Sequence, residues 1–377
     1  MARKIKILHL ITKYMGDNSL LNSMVLGPDP ERFETKVCYV SGMPDGKNKL
    51  DSRGKTIYLA KKPKPKTLSF DITSSVAKVI REEKPEILHC HRYKATAWGV
   101  IACISLTDIR IISHVHGMNR TRTLRTRLIN WLLLKHTSLI IGVSESVRKD
   151  ILTTNWGLSP EKVVTVWNGI DIAPIDAVSL NRKLARSKMG VSENEFVFGS
   201  VGRLVKTKGH EYLLKAFSEI RKKSPDAKVV IIGDGPLRRD LEEQARQLGI
   251  TQNTVFAGFR SDVAELLPGF DVFVLPSIAE GLSLALLEAM ASKLPVIASD
   301  VGGIPEVFGD KDIGRLIPSK DIAALGNAML EICSLDQKSK MLLGENARKR
   351  IESEFNIDFM CKKLVGLYES LLTYDKG

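Results

Sequence analysis

Two short segments carry side chains of the types that hold a diphosphate beside a polyhydroxyl group. The first is Leu275-Pro276-Ser277-Ile278-Ala279-Glu280-Gly281-Leu282-Ser283-Leu284-Ala285-Leu286-Leu287-Glu288-Ala289-Met290. A β-rich run ends at Pro276, a turn carries Glu280 and Gly281, and a helix is expected to open near Leu282. The first amides of a helix lack intrahelical partners and add to its dipole, so they attract an anion. Gly281 lets backbone approach a phosphate because no side chain intervenes. Glu280 can accept hydrogen bonds from sugar hydroxyls there. Glu288, about two turns on, can take ribose hydroxyls as the acidic residue of a dinucleotide site does.

The second segment is Gly199-Ser200-Val201-Gly202-Arg203-Leu204-Val205-Lys206-Thr207-Lys208-Gly209. It closes another strand with a loop holding Arg203 and Lys208, two cations suited to clamp a diphosphate opposite the helix start. Such charge stabilises a departing nucleoside diphosphate without a metal. Taken singly, Glu280 and Glu288 read equally well as solvated carboxylates, and Arg203 and Lys208 as surface cations. Their shared placement at strand ends favours a ligand. Thr207-Lys208-Gly209 lacks the rest of a P-loop, and Gly233-Asp234-Gly235 is an incomplete dinucleotide fingerprint that reads as a strand-to-helix turn. His89-x-His91 and His114-x-His116 have metal-like spacing. Strand alternation sends both members of each pair to one face, however, with no cysteine or carboxylate motif beside them, so no metal is expected.

The elements that must position these residues alternate along the chain. Strands are expected over 5–11, 35–40, 87–91, 110–114, 139–143, 163–166, 196–201, 229–233, 255–257, 272–276 and 296–299. Helical patterns cover 72–83, 124–135, 210–223, 237–248, 282–292 and 322–335. This alternation implies an α/β fold with parallel sheets and right-handed crossovers. Short strands with little polar alternation suit sheets covered on both faces. The turn cluster Asn168-Gly169-Ile170-Asp171 and Pro174 mark a boundary. Two doubly wound, Rossmann-like domains facing across a cleft are expected, 1–170 and 171–355, with ligands at the carboxyl ends of the strands. The basic, Pro- and Gly-containing stretch 42–66 reads as a mobile loop.

Length, 377 residues, suits two domains, and 44% hydrophobic with 26% charged residues is ordinary for a soluble globular protein. Five scattered cysteines with no C-x-x-C pair point to reduced thiols and a cytoplasmic setting. The basic start reads as a first strand rather than a signal peptide, and no apolar run is long enough to span a membrane. The net charge of +13 is one-sided: residues 1–170 hold 28 Lys/Arg against 14 Asp/Glu. Four arginines cluster in Met118-Asn119-Arg120-Thr121-Arg122-Thr123-Leu124-Arg125-Thr126-Arg127, ahead of an apolar helical run with Trp131. One reading is a docking surface for anionic headgroups or a lipid-linked or phosphorylated acceptor. The other is a packed helix with a solvated basic start.

In order and spacing, Gly202-Arg203…Lys208-Gly209 followed by Glu280-x7-Glu288 resembles the retaining GT-B glycosyltransferases of family GT4 (glycosyltransferase group 1). Asn168-Gly169-Ile170-Asp171, Gly233-Asp234-Gly235-Pro236-Leu237, Pro276-Ser277 and Gly302-Gly303-Ile304-Pro305-Glu306 agree. The likeness covers nearly the whole chain and is strongest over 140–310. It implies the GT-B fold and transfer of a sugar from a nucleotide-diphosphate sugar, a UDP-sugar favoured, with no metal or other cofactor. It also implies that Gly202, Arg203 and Lys208 hold the diphosphate with Gly281, Leu282 and Ser283, that Glu280 meets the sugar, and that Glu288 meets the ribose. Gly258-Phe259-Arg260 would border the base, and Val115-His116-Gly117 would place His116 at the sugar, giving Glu280, His116, Arg203 and Lys208 the catalytic roles. The final stretch, 356–377, resembles the helix that packs back on the N-terminal domain. Where the family carries a Gly-Gly loop after the first strand, this chain has only Gly16. His91-Arg92-Tyr93-Lys94 together with Val115-His116-Gly117-Met118-Asn119-Arg120 is similar to bacterial lipopolysaccharide and envelope-polysaccharide glycosyltransferases. That likeness implies a glycan or lipid-linked acceptor near Gly16, Arg120, Arg122, Arg125 and Arg127, with peripheral contact on the inner face of the cytoplasmic membrane and no nucleic acid. Rival readings are a nucleotide-sugar epimerase of the same fold, a nucleic-acid-binding protein and a catalytically silent scaffold.

Overall fold

The computed structural model describes residues 3–14, 16, 18–61, 69–104, 106, 108–118, 123–178 and 181–373. The chain divides into two compact units, Met1–Gly169 with Ile357–Gly377 (unit 1) and Ile170–Asn356 (unit 2).

Unit 1 holds a parallel sheet of β1 (Ile5–Lys13), β2 (Phe33–Ser41), β3 (Thr56–Lys61), β4 (Ile87–His91), β5 (Arg110–Val115), β6 (Leu139–Gly142) and β7 (Val163–Thr165), in the order β3-β2-β1-β4-β5-β6-β7. Unit 2 holds β8 (Phe196–Val201), β9 (Ala227–Ile232), β10 (Thr254–Gly258), β11 (Val272–Leu275), β12 (Val296–Ser299) and β13 (Gly314–Ile317), in the order β10-β9-β8-β11-β12-β13. Both sheets are parallel throughout their pairings. Strand order reverses between β1 and β4 in unit 1 and between β8 and β11 in unit 2. Adjacent loops there leave in opposite directions and open a crevice beyond the strand ends. β4, β11 and β12 are buried along their whole length, as strands covered on both faces must be. The helices supply the cover: Leu213, Leu214, Phe217 and Met329 pack on one side of the unit 2 sheet with Phe198, Val229 and Val274. Trp98, Val76 and Ile80 do the same for Leu8, Leu10 and Leu88 in unit 1.

Two edge strands, β3 and β13, were not expected. Charge and turn residues over 42–66 predict a mobile loop, whereas the structure orders 51–61. Leu50 is buried, a helical turn spans Asp51–Arg53, and β3 follows. Tyr58 stacks on Tyr39 with ring centroids 5.2 Å apart, and Asp51 accepts hydrogen bonds from Thr56 Oγ1 and Tyr58 Oη. An aromatic stack and two hydrogen bonds onto Asp51 Oδ1 order a segment whose composition looks loop-like. The final helix, Ile357–Thr373, belongs to unit 1: Tyr368 is fully buried there, and Glu369 pairs with Arg32.

Candidate functional site

The loops after β8 and β11 flank the reversal in unit 2, and they interlock through backbone. Gly209 has φ +66°, and a Cβ there would sit 2.0 Å from the carbonyl oxygen of Pro276, so only glycine admits the approach. Ile278 donates its amide to the Thr207 carbonyl at 2.8 Å. The turn after β9 closes the other side: Cβ atoms at Gly233 and Gly235 would meet the carbonyl oxygens of Gly202 at 2.0 Å and Leu204 at 2.5 Å. Leu204 in turn donates its amide to the Asp234 carbonyl. Glycines set this geometry because three loops meet main chain to main chain.

That frame brings Lys208 and Glu280 together. Lys208 Nζ lies 2.5 Å from Glu280 Oε1, and Ser277 Oγ donates to the same oxygen at 2.8 Å. The Glu280 side chain is only 10% exposed, so its charge has little water to lean on and depends on these two donors. Gly202 lies against the Lys208 stem, with 3.5 Å between a virtual Cβ and Lys208 Cδ. Arg203 is exposed, and among the described residues its guanidinium has no protein partner. The helix expected to open near Leu282 begins instead at Leu284, with Ser283 as its cap, Ser283 Oγ accepting from the Leu286 amide at 3.4 Å. Gly281 and Leu282 therefore lie in the approach to the helix, where the Gly281 carbonyl is engaged by the Gly303 amide at 3.0 Å. Glu288 is half-buried, and desolvation pushes its carboxyl up to about 7.

At the end of β10, Gly258 (φ +71°) accepts the Gly233 amide, and Phe259 is 80% exposed. Arg260 is held by Asp262 in a two-pronged pair at 2.6 and 2.7 Å, which pulls the Asp262 carboxyl down to about 2. His210, directly after Gly209, is buried. Its ring is lowered to about 4, first by desolvation and then by the Lys208 charge.

In unit 1 the histidines do more than pair. His9 of β1, His89 and His91 of β4, His114 of β5 and His116 just beyond it form one stack. Ring centroids of neighbours lie 4.4–5.6 Å apart with interplanar angles of 12–31°. Alternation foresaw that each pair shares a face. It missed His9, and it missed Tyr368 of the last helix, whose hydroxyl lies 2.7 Å from His89 Nδ1. The register could have shown the first, since His9 stands opposite His89. Possible ligand atoms of His9, His89 and His91, and of His91, His114 and His116, fall within 4.8 Å of one another. Gly16 has φ +91° and open space around it. Arg125 is exposed and Arg127 half-buried, while Arg120 and Arg122 lie outside the described residues.

The helix Leu124–Leu134 is closed at its start by a Thr123/Thr126 capping box. Leu124, Leu128, Trp131 and Leu132 fall at i, i+4, i+7 and i+8 and are all solvent-exposed, at 72%, 50%, 44% and 45%. Among the described residues no helix is long and apolar enough to cross a membrane. All five cysteines are free.

Comparison with known proteins places the chain in a family. Residues 181–350 match the model for glycosyl transferases group 1, and residues 31–173 match that for glycosyltransferase family 4. A UDP-Gal:alpha-D-GlcNAc-diphosphoundecaprenol alpha-1,3-galactosyltransferase of Escherichia coli is 32% identical over 305 residues, covering 78% of each chain. The capsular polysaccharide biosynthesis glycosyltransferase CapM of Staphylococcus aureus is 28% identical over 324 residues, covering 82% of this chain and 83% of CapM. Among solved structures, a glycosyltransferase from Rickettsia africae ESF-5 superposes with a TM-score of 0.84 at 19% identity over all of both chains. HepE of Anabaena in complex with UDP-glucose superposes with a TM-score of 0.82 at 21% identity, covering 97% of this chain and all of HepE. The fold is GT-B, two parallel-sheet α/β units, and the chain belongs to the group 1, family 4 glycosyltransferases.

Proposed function

We propose that this enzyme transfers a sugar, with retention of anomeric configuration, from a UDP-sugar to a glycan or lipid-linked acceptor in bacterial envelope polysaccharide assembly. The observation that carries the reading is the Lys208–Glu280 contact at the β8/β11 reversal, beside the start of the helix Leu284–Ala291. The amides leading into that helix, with Lys208 and Arg203, would take the diphosphate. Lys208 then exchanges Glu280 for phosphate oxygens, and Glu280 turns to the sugar hydroxyls. Glu288 takes the ribose, and Gly258, Phe259 and Arg260 border the base. His116 is the unit 1 residue we assign to the sugar. The acceptor oxygen bonds to the anomeric carbon on the face that the diphosphate leaves, and its proton passes to the departing phosphate. Retention follows without a protein nucleophile, and charge on the leaving group is carried by Lys208, Arg203 and backbone amides rather than a metal. The named relatives that act on a diphosphoundecaprenol-linked sugar or a capsule, and HepE with bound UDP-glucose, support this assignment. A thermal-shift panel of UDP-, GDP- and ADP-sugars tests it, since a ligand selective for the folded state raises its stability. Selective stabilisation by UDP-sugars is the expected result, and no shift with any of them removes the reading.

We further infer peripheral attachment to the inner face of the cytoplasmic membrane through the helix Leu124–Leu134. Its exposed stripe of Leu124, Leu128, Trp131 and Leu132, beside Arg125 in a basic half, has the makeup of an interfacial helix. Co-sedimentation with phosphatidylglycerol vesicles but not phosphatidylcholine vesicles is expected, and equal recovery with both sinks the assignment.

A further inference from the structure

The five stacked imidazoles resolve into two hydrogen-bonded chains. In one, Tyr368 Oη meets His89 Nδ1 at 2.7 Å, and His89 Nε2 meets His114 Nδ1 at 3.1 Å. In the other, His9 Nδ1 meets His91 Nε2 at 3.0 Å, and His91 Nδ1 meets His116 Nε2 at 3.3 Å. Each link between strands joins a histidine to the residue two beyond its register partner. His91 is opposite Ile11 but bonds His9, and His114 is opposite His91 while His116 takes the bond. Both chains therefore climb diagonally across the sheet toward the carboxyl ends of the strands.

Proton positions follow from burial and from the chain ends. Burial lowers His9 to about 3 and lowers His91 well below its ordinary value, so each ring is neutral and carries one N–H. His9 Nε2 is buried without a partner. A buried N–H left unpaired is rarer than an underused acceptor, so the proton of His9 belongs on Nδ1. It is then donated to His91 Nε2, which leaves the His91 proton on Nδ1, pointing at His116 Nε2. Chelation of a cation fits less well. Rings within 12–31° of parallel do not converge their lone pairs on a single point, as ligands of one ion must.

We propose that His9 and His91 are positioning residues that hold His116 as a neutral imidazole with Nε2 accepting and the proton on Nδ1. The proposal rests on the sugar-side role assigned to His116 above. Its test needs no substrate: nitrogen-15 NMR of ring-labelled protein, the His116 signals identified by their loss in His116→Ala. The Nδ1–H tautomer is expected for His116 in the wild type. His91→Asn and His9→Asn, which keep a donor at the Nδ position, should preserve it, and His91→Leu and His9→Leu should release it to a tautomer mixture. An Nε2-protonated His116 in the wild-type protein overturns the proposal, even where no variant folds, and so does an unchanged tautomer in folded His91→Leu. Sugar transfer gives a separate readout. With the tautomer fixed as expected, full transfer by His116→Ala leaves the chain of imidazoles standing and removes only the role assigned to His116. A roughly tenfold fall in turnover for His91→Leu, restored by Asn at the same position, supports both.

Discussion

Acidification from pH 7 to pH 5 should destabilise unit 1 and spare unit 2. His9 is fully buried and titrates at about 3 when folded, against 6.5 when exposed. Below pH 6.5 the unfolded chain binds a proton that the folded chain refuses, so stability is lost as pH falls. Over this interval the shift of His9 amounts to about 2 kcal/mol. His89, His91 and His114 are lowered well below their ordinary values by burial and act with the same sign. In unit 2 two groups oppose each other. His210, at about 4, costs about 2 kcal/mol over the same interval. Glu288, raised to about 7, is the reverse case: the folded state binds its proton more tightly, so stability is gained as pH drops through 7, again by about 2 kcal/mol. Carboxylates whose folded values are lowered act only nearer pH 4 and drop out. Hydrogen exchange read by mass spectrometry, corrected for intrinsic rates, should show protection falling in peptides from β1 and β4 while β8 and β11 hold. Protection of β1 and β4 unchanged between pH 7 and 5, within about 0.5 kcal/mol, would refute the claim that these rings stay neutral because they are buried.

Lys208→Ala should leave the chain folded by circular dichroism yet weaken UDP binding roughly ten- to a hundredfold by calorimetry, the loss of one charge-assisted contact to phosphate. Glu280→Ala should lose sugar transfer while retaining UDP binding, because its assigned partner is the sugar. Gly209→Ala forces a Cβ into the Pro276 carbonyl at a left-handed position, so UDP affinity should collapse together with a drop in melting temperature. Arg186 is buried, with bonds to the carbonyls of Gly269, Ser192, Glu193 and Glu195 and an ion pair to Asp271. Arg186→Ala should cost about 3 kcal/mol in urea unfolding, since it takes the donor from four carbonyls, while Asp271 keeps Arg182 and the Val197 amide.

The parallel sheets were legible because their strands are short apolar runs with nothing to imitate them, and β4, β8 and β12 fall where the residues put them. Of the four edge strands, β7 and β10 were legible and β3 and β13 were not: those two leave one side unpaired, are only partly buried and sit among charged and turn residues that read as loop. Arg186 gave no signal either: its burial depends on carbonyls of Ser192, Glu193 and Glu195 and of distant Gly269, which only the fold brings around the guanidinium. At the site, spacing alone placed Lys208 and Glu280 at the ends of two strands, but the contact between them depends on Gly209, Gly233 and Gly235 admitting main chain, which is a three-dimensional requirement. The histidine stack needed strand order. His9 is eighty residues from His89 and becomes its neighbour only because β1 pairs with β4. Tyr368 gave no sequence signal of its own.

Unit 2 is inserted into unit 1. Its two ends lie side by side, with the Ile170 amide donating to the Phe355 carbonyl at 2.9 Å. A ribosome working from the N-terminus therefore finishes all of 170–356 before it makes the helix Ile357–Thr373. Through that interval unit 2 has every residue it needs, while His89 still waits for the phenol of Tyr368. Unit 1 is thus the later of the two units to be completed, because its imidazole stack can be sealed only once Tyr368, which follows all of unit 2 in the chain, has been made.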